Sequence, residues 1–576
     1  MKKSFRYLAL ALALILILSP LLPARAEKNT GVVRVLLTRL ALTDRLEIAL
    51  DGSYTLNELS FQRGSHLTVS CASGELMVYY EGMALNAGKQ LTLTRHETEP
   101  GKENGLRLNG AYELHPGDLV VSLKDGGMRV VLHAPVEEYL LGVVPYEMSD
   151  SFPLEALKAQ AVAARTYALR KTGSSGVYDV VDNTNDQAYY GVKAEHTNAA
   201  QAVKETAGIC GFYKGALAQC YYSASNGGQT ELPVHVWGEG DYDYLSMTDD
   251  PYDLENPQSS VKRASFPKVL SSNDALGALK DPVLSVLSET LEAQGYDGDM
   301  EHIRVTGIES AETALPLYSD SPSQIMTLLR LNLTVQARRL LPSLEEEEEE
   351  DVSIFTVLTG ETPPPTQAPS GTQAPREQWS AMETLPEPVT VTLDIFPQVE
   401  AALNLSINPG SNELITVRET GSAFVIESRR YGHGVGMSQR GAQCMAGTYH
   451  WTYEQILRFY YPGMNLDTLR YTFSLPTPLS QTFLATPGPA ATPTPRPTAM
   501  PVNSTPGPSE YKVAVTNIGV NSYLNLRSAP STQSEVLRLL YFGQELIVVS
   551  ENGDWLTVRT DDLTGYVMKE FVKPIE

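Results

Sequence analysis

The chain has 576 residues, 42% of them apolar, and carries a formal net charge of −24. That length exceeds what one apolar core supports and predicts two or three domains. The acidic balance argues against nucleic acid as a partner and against a basic lipid-binding patch.

Lys2, Lys3 and Arg6 precede a nearly continuous apolar run from Tyr7 to Leu18, and Ala24-Arg25-Ala26 follows as a small-x-small cleavage site. This is the order of a secretory signal peptide, so residues 1–26 are expected to direct the chain out of the cytoplasm, to an extracytoplasmic location beyond the membrane. The run falls short of the roughly 20 residues that a spanning helix needs. An uncleaved anchor is the alternative, because Leu21, Leu22 and Pro23 extend the run. In that case the leader would be the chain's membrane contact. Cleavage would remove four basic residues and no acid, leaving a charge near −28.

Cys71, Cys210, Cys220 and Cys444 contain no CxxC pair and do not make a disulfide framework. Cys210 and Cys220 could bridge, with free thiols the favoured alternative. The close-spaced Cys/His ligands of a zinc site are not visible.

From Gly31 to Leu141 short β-branched runs alternate with Gly, Asn and Asp turns, as in Val32 to Leu37, Leu67 to Val69, Leu91 to Leu93 and Leu119 to Leu123. These predict strands. After Pro153 an alanine-rich helix is expected to run to about Lys171. At 100° per residue, Leu154, Leu157, Ala161, Ala164 and Ala168 fall within an arc of about 80°, with Arg165 at its edge. A guanidinium there must be paired or face a polar cleft. Glu147 or a substrate is the nearest candidate partner by chain path; Glu138, Glu155 or escape to solvent are the structural alternatives.

Leu344 to about Pro388 holds the acidic run Glu345 to Asp351 and a Pro/Thr/Gln stretch too poor in apolar residues to order itself. Asp394 to Tyr471 resumes strand and helix patterns without an obvious core of its own, so this linker is read as an insertion into a single domain spanning 31–472. Residues 475–508 repeat Thr-Pro and Pro-Thr and predict an extended spacer. Residues 511–576 are β again. The expected class is α+β: a mainly β main domain with a few helices and a disordered insert, then a small C-terminal β-barrel.

Two blocks are recognisable. Gly142-Val143-Val144-Pro145-Tyr146-Glu147-Met148 is followed by Glu155-Ala156-Leu157-Lys158-Ala159-Gln160-Ala161-Val162-Ala163-Ala164-Arg165-Thr166-Tyr167. Later come Tyr431-Gly432-His433-Gly434-Val435-Gly436-Met437-Ser438-Gln439-Arg440-Gly441-Ala442 and Thr452 to Gly463, where Thr452 and Gln455 fit a capping box. Together they resemble the stage II sporulation protein D and amidase-enhancer (LytB) family. The acidic and proline-rich insert is not part of that family's pattern.

The resemblance implies a lytic transglycosylase acting on peptidoglycan glycan strands that have lost their stem peptides, in spore engulfment or wall remodelling. Glu147 matches the family's catalytic acid/base. Gln160, Arg165 and Tyr167 lie on the signature helix, and Ser223, Ser225, His433 and Gln439 complete the implied substrate-binding set. His433 could equally be structural, as could Gln160 and Tyr167. In the turn Tyr221 to Thr230, Gly227 and Gly228 either let a sugar approach the backbone or serve the turn alone. Some members bind zinc through a C-x-x-x-H-C stretch. The matching residues here, Val181 to Tyr189, lack both cysteines and the histidine, so neither a metal nor another cofactor is expected. Other members stimulate an N-acetylmuramoyl-L-alanine amidase, which makes a non-catalytic enhancer with an amidase partner the alternative.

Val520-Asn521-Ser522-Tyr523-Leu524-Asn525-Leu526-Arg527 and the alternating runs after it resemble a bacterial SH3-like domain. Such modules usually bind wall peptide or glycan, with protein contact as the alternative.

Overall fold

The structure is a computed structural model. It describes residues 30–40, 42, 45–72, 74–173, 175–238, 242–341, 378–477, 510–516, 523–532, 534–541, 543–560 and 563–575. The leader and most of both linkers lie outside the described residues. The chain forms two compact units, residues 1–485 and 486–576.

The predicted N-terminal strands form, and their alternation explains their pairing. Arg45–Leu50 buries Leu46, Ile48 and Leu50 and exposes the residues between them more, as a strand with one covered face must. It pairs with His66–Ala72 in a five-stranded sheet. A seven-stranded sheet runs through Val32–Leu36, Gly127–Pro135, Asp118–Lys124 and Gln90–His96. Both sheets feed one apolar core with the helix Leu154–Lys171.

Pro153 caps that helix, at the start the sequence predicts. Its surroundings differ from expectation. Instead of one apolar stripe, every residue from Ala159 to Leu169 is buried. Small side chains on all faces let Thr197–Glu205, Gln439–Gly447, Tyr453–Tyr460 and the strand Ile209–Tyr213 pack around it. A helix covered on every side must have its polar side chains paired, as Arg165 is with Glu137. The capping box is present at Thr452 and Gln455.

Residues 31–472 lie within one compact unit, whose buried apolar residues form two clusters rather than one. A second apolar cluster, containing Phe266, Leu287, Leu331, Leu333, Val391 and Ile426, is built from both sides of the first linker. The hairpin Arg304–Pro316 with Met326–Ala337 pairs with Val389–Asp394, and the helix Lys280–Ala293 covers this sheet. The linker therefore interrupts this inserted cluster, while residues from Val435 rejoin the first core. The described residues resume before Pro388, at Gln378. Glu383–Thr384 pairs with Gln336 and Ala337, and Leu385 is buried in the second cluster.

Arg430 marks the return to the first core. Its guanidinium is fully buried and donates to the carbonyls of Asn226 and Gln229, each at 3.0 Å, and to Glu231 at 3.1 Å.

All four cysteines are free thiols, so Cys210 and Cys220 do not bridge. Cys220 Sγ lies 3.6 Å from Met464 Sδ, and burial pushes the Cys210 thiol up to about 11.

In the C-terminal unit, seven strands from Tyr511–Val515 to Val572–Pro574 form one sheet around Val513, Leu526, Leu546, Leu556 and Val567. Among the described residues no helix is long and apolar enough to cross a membrane.

Removing one partner of a buried ion pair strands the other charge, at a cost of about 3–5 kcal/mol. Glu231→Ala should therefore lower the urea unfolding free energy of the first unit by that order. Asp243→Ala, which breaks the exposed pair with Lys214, should leave the same transition in place.

Candidate active site

The helix Val136–Leu141 ends at Gly142, and a second, short helix, Val144–Glu147, begins with Pro145 in its first turn. Met148 is extended and stops it. Glu147 thus sits on the last helical position, facing a wall made by distant parts of the chain.

Ala188 N–H donates to Glu147 Oε1 at 2.7 Å. Gln439 Nε2 lies 3.5 Å from Glu147 Oε2 and 3.4 Å from Gln160 Oε1. The Tyr222 hydroxyl also reaches the carboxyl. Loss of water around the half-buried side chain outweighs these donors and pushes Glu147 up to about 7. None of the groups acting on it is a cation. The carboxyl is consequently shared between its acid and base forms near neutrality.

The wall is fixed by a hydrogen-bond chain. Gln187 Nε2 donates to the Tyr222 hydroxyl at 2.9 Å and to Ala164 O at 3.2 Å, and Tyr139 donates to Gln187 Oε1 at 2.9 Å. Gln439 opens the helix Gln439–Gly447, capped by Ser438, whose hydroxyl accepts from Gly441 N–H at 3.0 Å. Tyr222–Ser223 pairs in parallel with Met437–Ser438, which brings the second block beside Glu147. This approach requires glycine. At Gly436, φ is +73° and a Cβ would collide with the Tyr221 carbonyl.

Of the residues predicted from sequence, Gln160, Gln439 and Tyr167 gather around Glu147. Tyr167 donates to Asp186 at 2.9 Å, and burial first, then the neighbouring Asp186 and Glu147 charges, push its hydroxyl up. His433 accepts from Val435 N–H at 3.0 Å through Nδ1, contacts the Tyr222 backbone, and is pushed down to about 4 by burial. It is a neutral ring at physiological pH. The Ser223 hydroxyl is buried and has no hydrogen-bond partner in the protein.

Two predicted residues are placed elsewhere. Arg165 does not meet Glu147, Glu138 or Glu155. It is fully buried against Glu137 in a two-point pair of 2.9 and 2.7 Å and donates to Ile209 O at 3.1 Å. Ser225 is buried and donates to Asp253 at 2.8 Å. Gly227 and Gly228 serve packing, since a Cβ on either would meet Arg430 or Leu254 below 3 Å.

Sequence reasoning missed Tyr222 and Gln187 as site residues. Both lie beside residues that the sequence pattern does single out: Tyr222 adjoins Ser223, and Gln187 falls within Val181 to Tyr189. The residues from Val181 to Tyr189 do not fit zinc. Asp182 accepts from the backbone N–H groups of Thr38 and Arg39 at 2.9 and 3.1 Å, and Asp186 is held by Tyr167 and by Val181 N–H.

Residues 124–213, which span the Glu147 helix and the central helix, match the family described as "Stage II sporulation protein". This chain carries a SpoIID domain. Residues 522–573 match the bacterial SH3 domain family. The chain is 30% identical over 330 residues to the amidase enhancer of Bacillus subtilis, covering 57% of this chain and 40% of that protein. It is 29% identical over 166 residues to the stage II sporulation protein D of the same species, covering 26% of this chain and 48% of the relative. The corresponding protein of Bacillus amyloliquefaciens is 30% identical over 150 residues, 23% of this chain and 43% of its own length. The chain thus spans less than half the length of these relatives.

Because Glu147 holds its proton more tightly in the folded SpoIID domain (about 7) than at its ordinary value of 4.5, stability falls as pH rises between those values. Glu147→Gln removes that penalty. The variant should unfold a few degrees above the parent at about pH 8, and the two melting curves should converge below pH 4.5.

Proposed function

We propose that the SpoIID domain acts in the cell wall and cleaves peptide-stripped peptidoglycan glycan as a lytic transglycosylase, with Glu147 as its acid/base. The observation that carries this reading is a half-buried carboxyl raised to about 7 within a wall of tyrosine and glutamine side chains.

Neutral Glu147 donates its proton to the glycosidic oxygen as the bond to C1 breaks. The resulting carboxylate takes the proton of the muramoyl 6-hydroxyl, whose oxygen attacks C1 and closes a 1,6-anhydro ring. Glu147 ends protonated, and no water is consumed. One carboxyl suffices, unlike the paired carboxylates of hydrolytic glycosidases. The nearby Asp186 is already engaged by Tyr167, Val181 N–H and Lys171. Hydrogen bonds from Ala188 and Gln439 stabilise the carboxylate half of the cycle. The C-terminal SH3 domain would hold the chain on wall polymer and raise the local concentration of the SpoIID domain there.

A second reading is favoured by the 330-residue match to a protein named amidase enhancer. On that reading the same wall of side chains around Glu147 binds glycan without cutting it and delivers a wall amidase.

Incubating the mature protein with denuded glycan strands should yield anhydro-muramoyl ends by mass spectrometry. Loss of the general acid in Glu147→Gln should lower the rate by about 10²–10⁴-fold. No products from the parent, with faster turnover of an added amidase, would establish the enhancer instead. The proton must be present on Glu147 for the first step, so kcat/KM should decline as pH rises through about 7.

A further inference from the structure

Trp237 ends the short helix Pro233–Trp237 and leaves 43% of its surface exposed. An indole in water is a large apolar area left uncovered, normally where something covers it in use. This one is held in place. Its ring lies 4.4 Å from that of Tyr221 and 5.1 Å from that of His433, and Tyr221 lies 6.3 Å from Tyr167.

The rings are continuous with the candidate active site. His433 contacts the backbone of Tyr222, whose hydroxyl reaches Glu147, and the Glu147 charge is felt at Tyr167. Burial keeps His433 neutral, so the rings present no formal charge. Beside them Ser223 is 8% exposed, and its hydroxyl has no partner in the protein. It lies against the His433 loop, where a Cβ at Gly432 would come within 2.8 Å of Ser223 Cβ. An uncharged aromatic shelf beside a spare hydroxyl suits a pyranose, which offers a flat C–H face and polar edges.

The inserted cluster fixes this shelf. At the tip of its long hairpin, the Tyr318 ring stacks on His235 at 3.6 Å and 5°, and its hydroxyl donates to His235 O at 3.0 Å. Gln324 N–H donates to Gln229 Oε1 at 3.0 Å, and Gln229 Nε2 donates to Pro322 O at 3.2 Å. From the other side His235 meets Glu231 at 2.7 Å, and Glu231 pairs with Arg430. The short helix is therefore clamped two residues before Trp237.

We propose that Trp237, with Tyr221 and His433, is a stacking subsite for an N-acetylhexosamine ring adjoining the sugar at Glu147, and that Tyr318 is its positioning residue. The assignment rests on the glycan-binding reading above but not on cleavage.

The test uses the whole mature chain carrying Glu147→Gln and soluble β-1,4-linked N-acetylglucosamine oligomers from dimer to hexamer, with affinities measured by calorimetry. Affinity should rise with oligomer length. Trp237→Ala should abolish that rise and weaken the hexamer about tenfold, a loss of about 1.4 kcal/mol, while leaving the dimer unchanged. Trp237→Phe should retain most of it. Tyr318→Ala should reproduce the length-dependent loss, and Tyr318→Phe, which keeps the stack, should restore it. Unchanged hexamer affinity in Trp237→Ala, an equal loss at every length, or no oligomer binding by the Glu147→Gln chain would overturn the subsite. Normal binding by Tyr318→Ala would overturn the positioning role alone. Trp237-dependent binding without cleavage by the chain bearing Glu147 would leave the subsite standing and remove the transglycosylase. Cleavage with Trp237→Ala indistinguishable would do the reverse.

Discussion

A buried guanidinium has few acceptable positions, and Arg165 takes one that organises everything around it. Its pair with Glu137 ties the helix Val136–Leu141 to the middle of the central helix. The same carboxylate accepts from Gly208 N–H at 2.9 Å, and the same guanidinium reaches Thr206 and the strand beginning at Ile209. Three segments distant in sequence are thereby locked at one point. The short helix bearing Glu147 starts three residues after the first of them ends. The charge that the sequence offered to a substrate instead sets the platform from which the acid projects.

With that cation spent elsewhere, Glu147 is governed by two opposed effects. Removal of water favours its neutral form, and donors from Ala188, Gln439 and Tyr222 favour its charged form. An arginine beside it would have ended the balance in favour of the carboxylate. The polar side chains in the wall are mostly committed to one another, as in the chain from Tyr139 through Gln187 to Tyr222. A network of this kind holds its members in place because breaking any link leaves a buried polar group unsatisfied.

How much of this was legible depended on whether the cause was local. Strand alternation, the start of the helix after Pro153 and the capping box at Thr452 are set by neighbours in sequence, and the structure has each. The burial of Arg165 was legible, but its partner was not: Glu137 and Glu138 are adjacent, and only the tertiary arrangement turns one toward Arg165 and the other toward Arg95. The second core was hidden because its strands come from both sides of an acidic stretch with no apolar periodicity. The gathering of Gln160 and Gln439 around Glu147 follows two recognisable blocks, whereas Trp237 joins them only through ring contacts with Tyr221 and His433. Ser225 shows the limit of reading a motif as a unit, since its neighbour Ser223 lies beside the rings while Ser225 faces Asp253.

The two borders of the acidic linker are stitched together. Leu341 N–H donates to Gln378 O at 2.8 Å and Ser380 N–H to Arg339 O at 2.9 Å. For an excursion whose ends already meet, doubling the intervening length adds only about 0.6 kcal/mol of closure entropy. The stretch is thus a splice point that evolution or an engineer can lengthen, shorten or replace with a foreign sequence while the strands on either side keep their register.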